Sequence, residues 1–148
     1  MKDVKLYNVL FPMWFLMLVP IVWVVVLPGN FLIDSLVLLI FLYWTKTPEK
    51  KRFYWQHIFK VFGFGLLADL AGSAWLLTSL VMEWGVYGDE WYLTIPAVII
   101  SAVCIYLLNY FVTFRKEDAA LRKKLAWTLA LATAPYTFLI PSAWIYGF

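Results

Sequence analysis

Two acids stand inside stretches that are otherwise apolar. Asp34 lies in FLIDSLVLLIFLYW (31–44), and Asp69 lies in FGFGLLADLAGSAW (62–75). A carboxylate at the centre of a membrane helix costs about 2.5–3.5 kcal/mol, so it marks an ion or substrate path, a proton relay or an obligatory polar contact. Asn109 is a third polar residue in apolar surroundings. Paired acids could also hydrolyse a bond, but that needs two carboxyls sharing a proton at about 3 Å, and neither aspartate sits in a recognisable catalytic motif. HExxH, GxSxG, a phosphate-binding glycine loop and Cys-x-x-Cys are all missing from the sequence. A non-enzymatic role is expected. Cys104 is the single cysteine and His57 the single histidine. That excludes an intramolecular disulfide and any multi-Cys or multi-His metal site, and neither metal nor cofactor is expected.

What surrounds Asp69 narrows its chemistry. Gly65, Ala68, Gly72 and Ser73 fall on the acid's side of a helix. Such a small-residue face lets another helix approach closely. Asn109 belongs to a comparable row with Ala97, Ser101 and Thr113, and Ala126, Ala130 and Ala134 form a third; these rows predict helix packing. No Lys or Arg lies at the depth of Asp69. Three outcomes follow: it carries a proton; it accepts hydrogen bonds from Asn109, Thr133, Tyr136 or Thr137; or its partner comes from outside the chain, as a cation, a cationic substrate or a basic residue of another subunit. Asp34 is expected nearer the outer surface, capping a helix beside Asn30.

The elements that must position these groups are membrane spans. Of 148 residues 64% are apolar and only 14% charged, against about half and a quarter in soluble domains. The pattern predicts an all-α polytopic bundle, one integral-membrane domain over 1–148, with five transmembrane helices at about 9–27, 30–47, 58–82, 95–114 and 125–146. The first, basic-then-apolar segment reads as a retained span rather than a cleaved signal peptide. Pro28-Gly29-Asn30 reads as a tight turn between spans one and two. Thr47 with Pro48, Thr94 with Pro96, and Asp118 read as helix starts, and Pro135 and Pro141 as breaks in the fifth span.

Charge sets the expected sidedness. With the N-terminus cytoplasmic and the C-terminus outside, all 12 basic residues fall on the inner side, while the outer loops hold only Glu83, Asp89 and Glu90. Lys50, Lys51, Arg52, Lys60, Arg115, Arg122, Lys123 and Lys124 are the candidates for anionic headgroups or a cytoplasmic partner. Trp23, Trp84, Trp91 and Trp144 fall at the outer interface, and Trp44, Trp55 and Trp127 at the inner one. His57 reads as a structural polar contact. A multi-pass protein of the plasma membrane is expected, its partners being lipid and other membrane subunits or a second copy, with no nucleic acid.

Within 28–75, PGNFLIDSLVLLIFLYW, a connector proline (Pro48) and FGFGLLADLAG resemble the MreD rod-shape-determining membrane proteins. Asp34, Tyr43, Trp44, Gly65, Asp69 and Gly72 fall on the matching positions. The resemblance implies a non-catalytic subunit of a cell-envelope assembly. MreD proteins themselves look distantly similar to the substrate-binding membrane subunits of energy-coupling vitamin transporters, so the same stretch is compatible with a transport subunit. The leading expectation is therefore a scaffold or assembly subunit acting through helix–helix association. The alternative is a small transporter, channel or substrate-binding transport subunit that uses Asp69 and Asp34 on a cation or small substrate.

Overall fold

The computed structural model describes residues 19–84 and 90–140. The expected start of the first span, the N-terminus assigned to the cytoplasm, Trp144 and the outer C-terminus lie outside these residues. Every regular element among the described residues is helical. A 3-10 turn, Pro20–Val22, leads into α1, Trp23–Trp44; α2 is Lys50–Val81; α3 is Trp91–Leu108, continued by a π-helical turn Asn109–Thr113; α4 is Ala119–Ala132, followed by a 3-10 turn Tyr136–Leu139. Three of these stretches are long and apolar enough to cross a membrane: Pro20–Trp44, Lys50–Val81 and Trp91–Thr113. Short connectors make successive helices antiparallel neighbours.

The tight turn expected at Pro28-Gly29-Asn30 does not form. Residues 20–27, assigned to the first span, and 30–44, assigned to the second, belong to one helix that runs through Pro28. A chain reversal inside hydrocarbon would leave several backbone groups without partners, whereas a helix carrying proline loses one hydrogen bond. In lipid the turn signal is therefore outweighed. This moves Asp34 from the mouth of a helix to its middle: it is the twelfth residue of α1, about 16 Å from either end at 1.5 Å per residue.

Other helix starts shift as well. Glu49, in the left-handed conformation at φ 51°, precedes α2, so Thr47 and Pro48 sit in the connector. Glu90 precedes α3, placing Thr94 and Pro96 within the helix. Asp118 does occupy the position before α4. The expected fifth span is interrupted among the described residues. Helix α4 is 14 residues long, about 21 Å against a hydrocarbon core of about 30 Å, and it ends before Pro135, which cannot continue it.

The small-residue face of α2 is spent inside the protein. Ser101 Oγ on α3 donates to the Ala68 carbonyl at 2.8 Å. A Cβ on Gly72 would overlap Ser101 Oγ and reach 3.0 Å from the Ala97 carbonyl and 2.9 Å from the Phe138 ring. Trp75 Nε1 donates to the Leu93 carbonyl at 3.1 Å, pinning the same two helices further along. Leu38, Leu42, Ile58, Val61, Ala68, Leu125 and Leu129 bury one apolar cluster. Leu76, Leu93, Ala97, Ala134 and Phe138 bury a second. On α2 the level of Asp69 and Gly72 lies between the two.

Gly72→Ala is expected to lower the melting temperature in detergent. The overlap with Ser101 and a backbone carbonyl costs about 1–3 kcal/mol, more than the gain of about 1 kcal/mol in helix propensity. Gly63→Ala, where an added Cβ meets nothing within 4 Å, is the matched control and should melt no lower than the parent.

Candidate functional site

The two aspartates, read from sequence as lying at different depths, meet. Asp69 is the twentieth residue of α2, nine after Lys60 and twelve before Val81, or about 14 Å and 18 Å from those points. Helix α1 runs antiparallel to α2, setting Asn30 against Asp69 and Asp34 against Gly65, one helical turn away. Both carboxyls line one cavity of about 230 Å³, together with Asn30, Gly65, Thr133, Tyr136 and Thr137. Asp34 is 4% exposed and Asp69 8%, so neither has bulk water to screen it.

Gly65 makes this approach feasible. A Cβ there would stand 3.3 Å from Asp34 Oδ2, which places the carboxylate directly against the bare backbone of α2. Asn30, one helical turn before Asp34, donates from Nδ2 to Asp69 Oδ2 at 3.4 Å. Asp69 Oδ1 is buried and has no hydrogen-bond partner among the described residues. Asn30 was assigned to a turn, and Asn109 was a candidate donor instead. The sequence did hold the signal: Asn30 and Asp34 are four apart, a spacing that shares one helix face. The dipeptide Pro28-Gly29 hid it.

The fourth side of the cavity is the break after α4. Lys124 is eight residues before Ala132, so α4 enters from the basic end and stops about 12 Å beyond it. A helix C-terminus carries roughly half a negative charge and carbonyls with no further turn to donate to them. Thr133, its backbone N–H and its Oγ1 both directed at the Leu129 carbonyl, closes one of these. Tyr136 closes another by donating from its hydroxyl to the Leu131 carbonyl. Two carboxyls, the negative end of a half-helix and hydroxyl-bearing residues therefore surround one small space, and among the described residues no Lys, Arg or His lines it. Such a donor set suits a proton or a small hard cation.

The remaining sequence candidates go elsewhere. Asn109 is fully buried and donates from Nδ2 to the Ile105 carbonyl at 2.8 Å, away from the acids. His57 donates from Nδ1 to the Phe53 carbonyl at 2.8 Å, between the Phe53 and Phe114 rings, with Nε2 3.6 Å from Glu117. Lys50 lies over the Tyr43 ring, Arg52 stands 3.6 Å from Glu49, and Arg122 packs on the Tyr110 ring. Lys51, Lys60, Arg115, Lys123 and Lys124 are exposed at the same end of the bundle. No group of three or more His, Cys, Asp or Glu able to hold a metal occurs among the described residues.

A double-mutant cycle of Asn30→Ala with Asp69→Ala, read by melting in detergent, should give a coupling of about 1 kcal/mol. Strict additivity of the two losses would mean that the contact contributes nothing. Comparison with protein-family models, curated proteins and solved structures finds no match to this chain.

Proposed function

We propose that this protein is a small cation-handling transport protein, or the cation-binding membrane subunit of one, in which Asp34 and Asp69 together hold a proton or a small monovalent cation. The observation that carries this reading is the shared cavity. Two buried carboxyls from different helices face the interrupted end of a third, with no basic residue among the described residues that line the cavity. Each acid alone costs about 2.5–3.5 kcal/mol at this depth. Hydrogen bonds to a charged acceptor return about 1.5–3 kcal/mol each, and the only one either carboxyl receives among the described residues is a long one from Asn30. The negative end of α4 adds to the deficit. A bound cation or proton removes it. Irregular backbone at membrane depth is tolerated where it lines such a cavity, and broken helices of this kind bind coupling ions in transporters.

Association as a scaffold would draw on an uncommitted close-packing face. The Gly65, Ala68, Gly72 and Ser73 face is instead taken up by α1 and α3, which leaves the transport reading as the better supported.

In this reading the ends of α1–α3 that bear Lys46, Lys50, Lys51, Arg52, Arg115 and Lys116 face the cytoplasm of a plasma-membrane protein, following the excess of basic residues there. On a Cys104→Ala background, a cysteine replacing Glu83 should react with an impermeant maleimide from outside intact cells, and one replacing Ala119 only after permeabilisation. The reverse pattern would overturn the orientation.

The ion itself is tested by linkage. A ligand that binds only the folded state stabilises it by about 2.7 kcal/mol at one hundred times its dissociation constant. Either sodium or a fall in pH from 8 to 6 should raise the melting temperature of the parent by several degrees. Asp69→Asn, which keeps the shape and the hydrogen bonding without the charge, should abolish that rise. In vesicles the same substitution should cut radiolabelled sodium uptake or dye-reported proton uptake at least tenfold with folding intact. Unchanged ion dependence in both assays would remove the carboxyls from any transport role.

A further inference from the structure

A second cavity, of about 540 Å³, opens at the basic end of the bundle, between α2 and the end of α3. It shares no residue with the aspartate cavity, and its reading is independent of the proposed transport role. Three cations converge on it: Lys60 from α2, and Arg115 and Lys116 from the segment after the π-helical turn. Gln56 adds an amide, and Glu117, the one acid in the wall, is set against His57 Nε2 at 3.6 Å. None of the three cations makes an ion pair among the described residues, whereas Arg52 stands 3.6 Å from Glu49. Three unpaired cations against one engaged acid give the cavity a net positive lining.

The π-helical turn puts them there. Phe114 N–H donates to the Asn109 carbonyl five residues back, at 2.9 Å. One residue more than an α-helical turn is thus accommodated before Arg115. Turns of this kind occur mostly as single interruptions of α-helices and are frequent at functional sites. The rigid wall behind the cations is the buried stack of Phe53, His57 and Phe114.

The other wall identifies the ligand. Phe111 and Val112 also line the cavity, and they are 61% and 46% exposed. Exposed apolar side chains stand immediately beside the cations. Lys60 is nine residues, about 14 Å, from Asp69 along α2, close to half of a hydrocarbon layer of about 30 Å. Cationic head, apolar flank and interfacial depth fit one molecule. We propose that this cavity binds the phosphate headgroup of an anionic phospholipid, with an acyl chain lying along Phe111 and Val112. Arg115 supplies a planar fork for two phosphate oxygens, and Lys60 and Lys116 supply point charges. Basic pockets between membrane helices on the cytoplasmic side hold such headgroups in general.

The test compares lipid retention by native mass spectrometry, with the full chain in detergent titrated with phosphatidylglycerol or phosphatidylcholine. The parent should retain phosphatidylglycerol in preference to phosphatidylcholine. Lys60→Gln with Arg115→Gln should weaken phosphatidylglycerol binding about 25-fold, or about fivefold per cation. Lys46→Gln with Lys51→Gln removes the same charge from residues outside the cavity and should weaken it less than threefold. Phe111→Gln leaves every cation in place and should still weaken retention, which separates an acyl-bearing ligand from a free anion. Equal losses in the two double variants would overturn the site. Displacement of phosphatidylglycerol by millimolar inorganic phosphate, with Phe111→Gln silent, would overturn the lipid in favour of a soluble anion. Lys60 and Arg115 are exposed, and an unchanged melting temperature in lipid-free detergent confirms that their loss acts on binding.

Discussion

Two buried carboxyls that line one small cavity, midway along long apolar helices, set the terms for the rest of the bundle. So buried, they lack bulk water, and what holds Asp34 and Asp69 in place comes from the helices around them. Helix α1 brings Asp34 and Asn30 on one face. Helix α2 brings Asp69, and by having glycine at 65 it allows the Asp34 carboxyl to lie against its backbone. Close approach of α2 to α3 at Gly72 and Ala68 then locks α2 in place, through a hydrogen bond from Ser101 that also satisfies a hydroxyl which lipid could not. The small residues on α2 therefore serve two neighbours, one for the geometry of the acids and one for the rigidity of the helix that bears them.

The break after α4 is the other half of the same design. A continuous helix at that place would present side chains to the acids and keep its carbonyls to itself. Ending at Ala132 exposes the negative terminus of α4 and the segment Thr133–Thr137 to the cavity. By electrostatics alone this arrangement is unfavourable for two anions and favourable for a cation between them. The apolar clusters on either side, around Leu38 and Leu125 and around Leu76 and Phe138, provide the stable frame within which so unfavourable a local arrangement persists. Strain and charge are concentrated where ligands act, and packing elsewhere supports them.

The basic end follows a different logic. There the cations are exposed at the helix ends, where charge is inexpensive. Rings and charges alternate: Lys50 over Tyr43, Arg122 over Tyr110, and Trp44, Trp55 and Trp127 exposed beside them. The acidic and basic features of the chain are thus segregated by depth. A cation held by the aspartates and an anion held at the basic end would occupy sites that do not compete.

Much of this was legible in the sequence, because lipid imposes simple rules on composition. The apolar excess, the helical class and the clustering of basic residues at one end all follow from rules that act on each residue separately. The break at Pro135 was legible for the same reason, since proline removes a donor wherever it stands. What depended on neighbours was not legible. Pro28-Gly29-Asn30 has the local chemistry of a turn, and only its position inside a bilayer-spanning bundle makes the helix cheaper than the reversal. That one decision moved Asp34 by half a helix, turned Asn30 from a turn residue into the donor to Asp69, and joined two acids that looked separate. The partner of the small-residue face was equally hidden: spacing shows that a helix must approach there, but which helix does so is fixed by packing. Sequence determined that this protein needs an answer for a buried charge. Tertiary structure decided that the answer is a shared cavity, because the pairing of groups far apart along the chain is a property of how helices meet and not of any one of them.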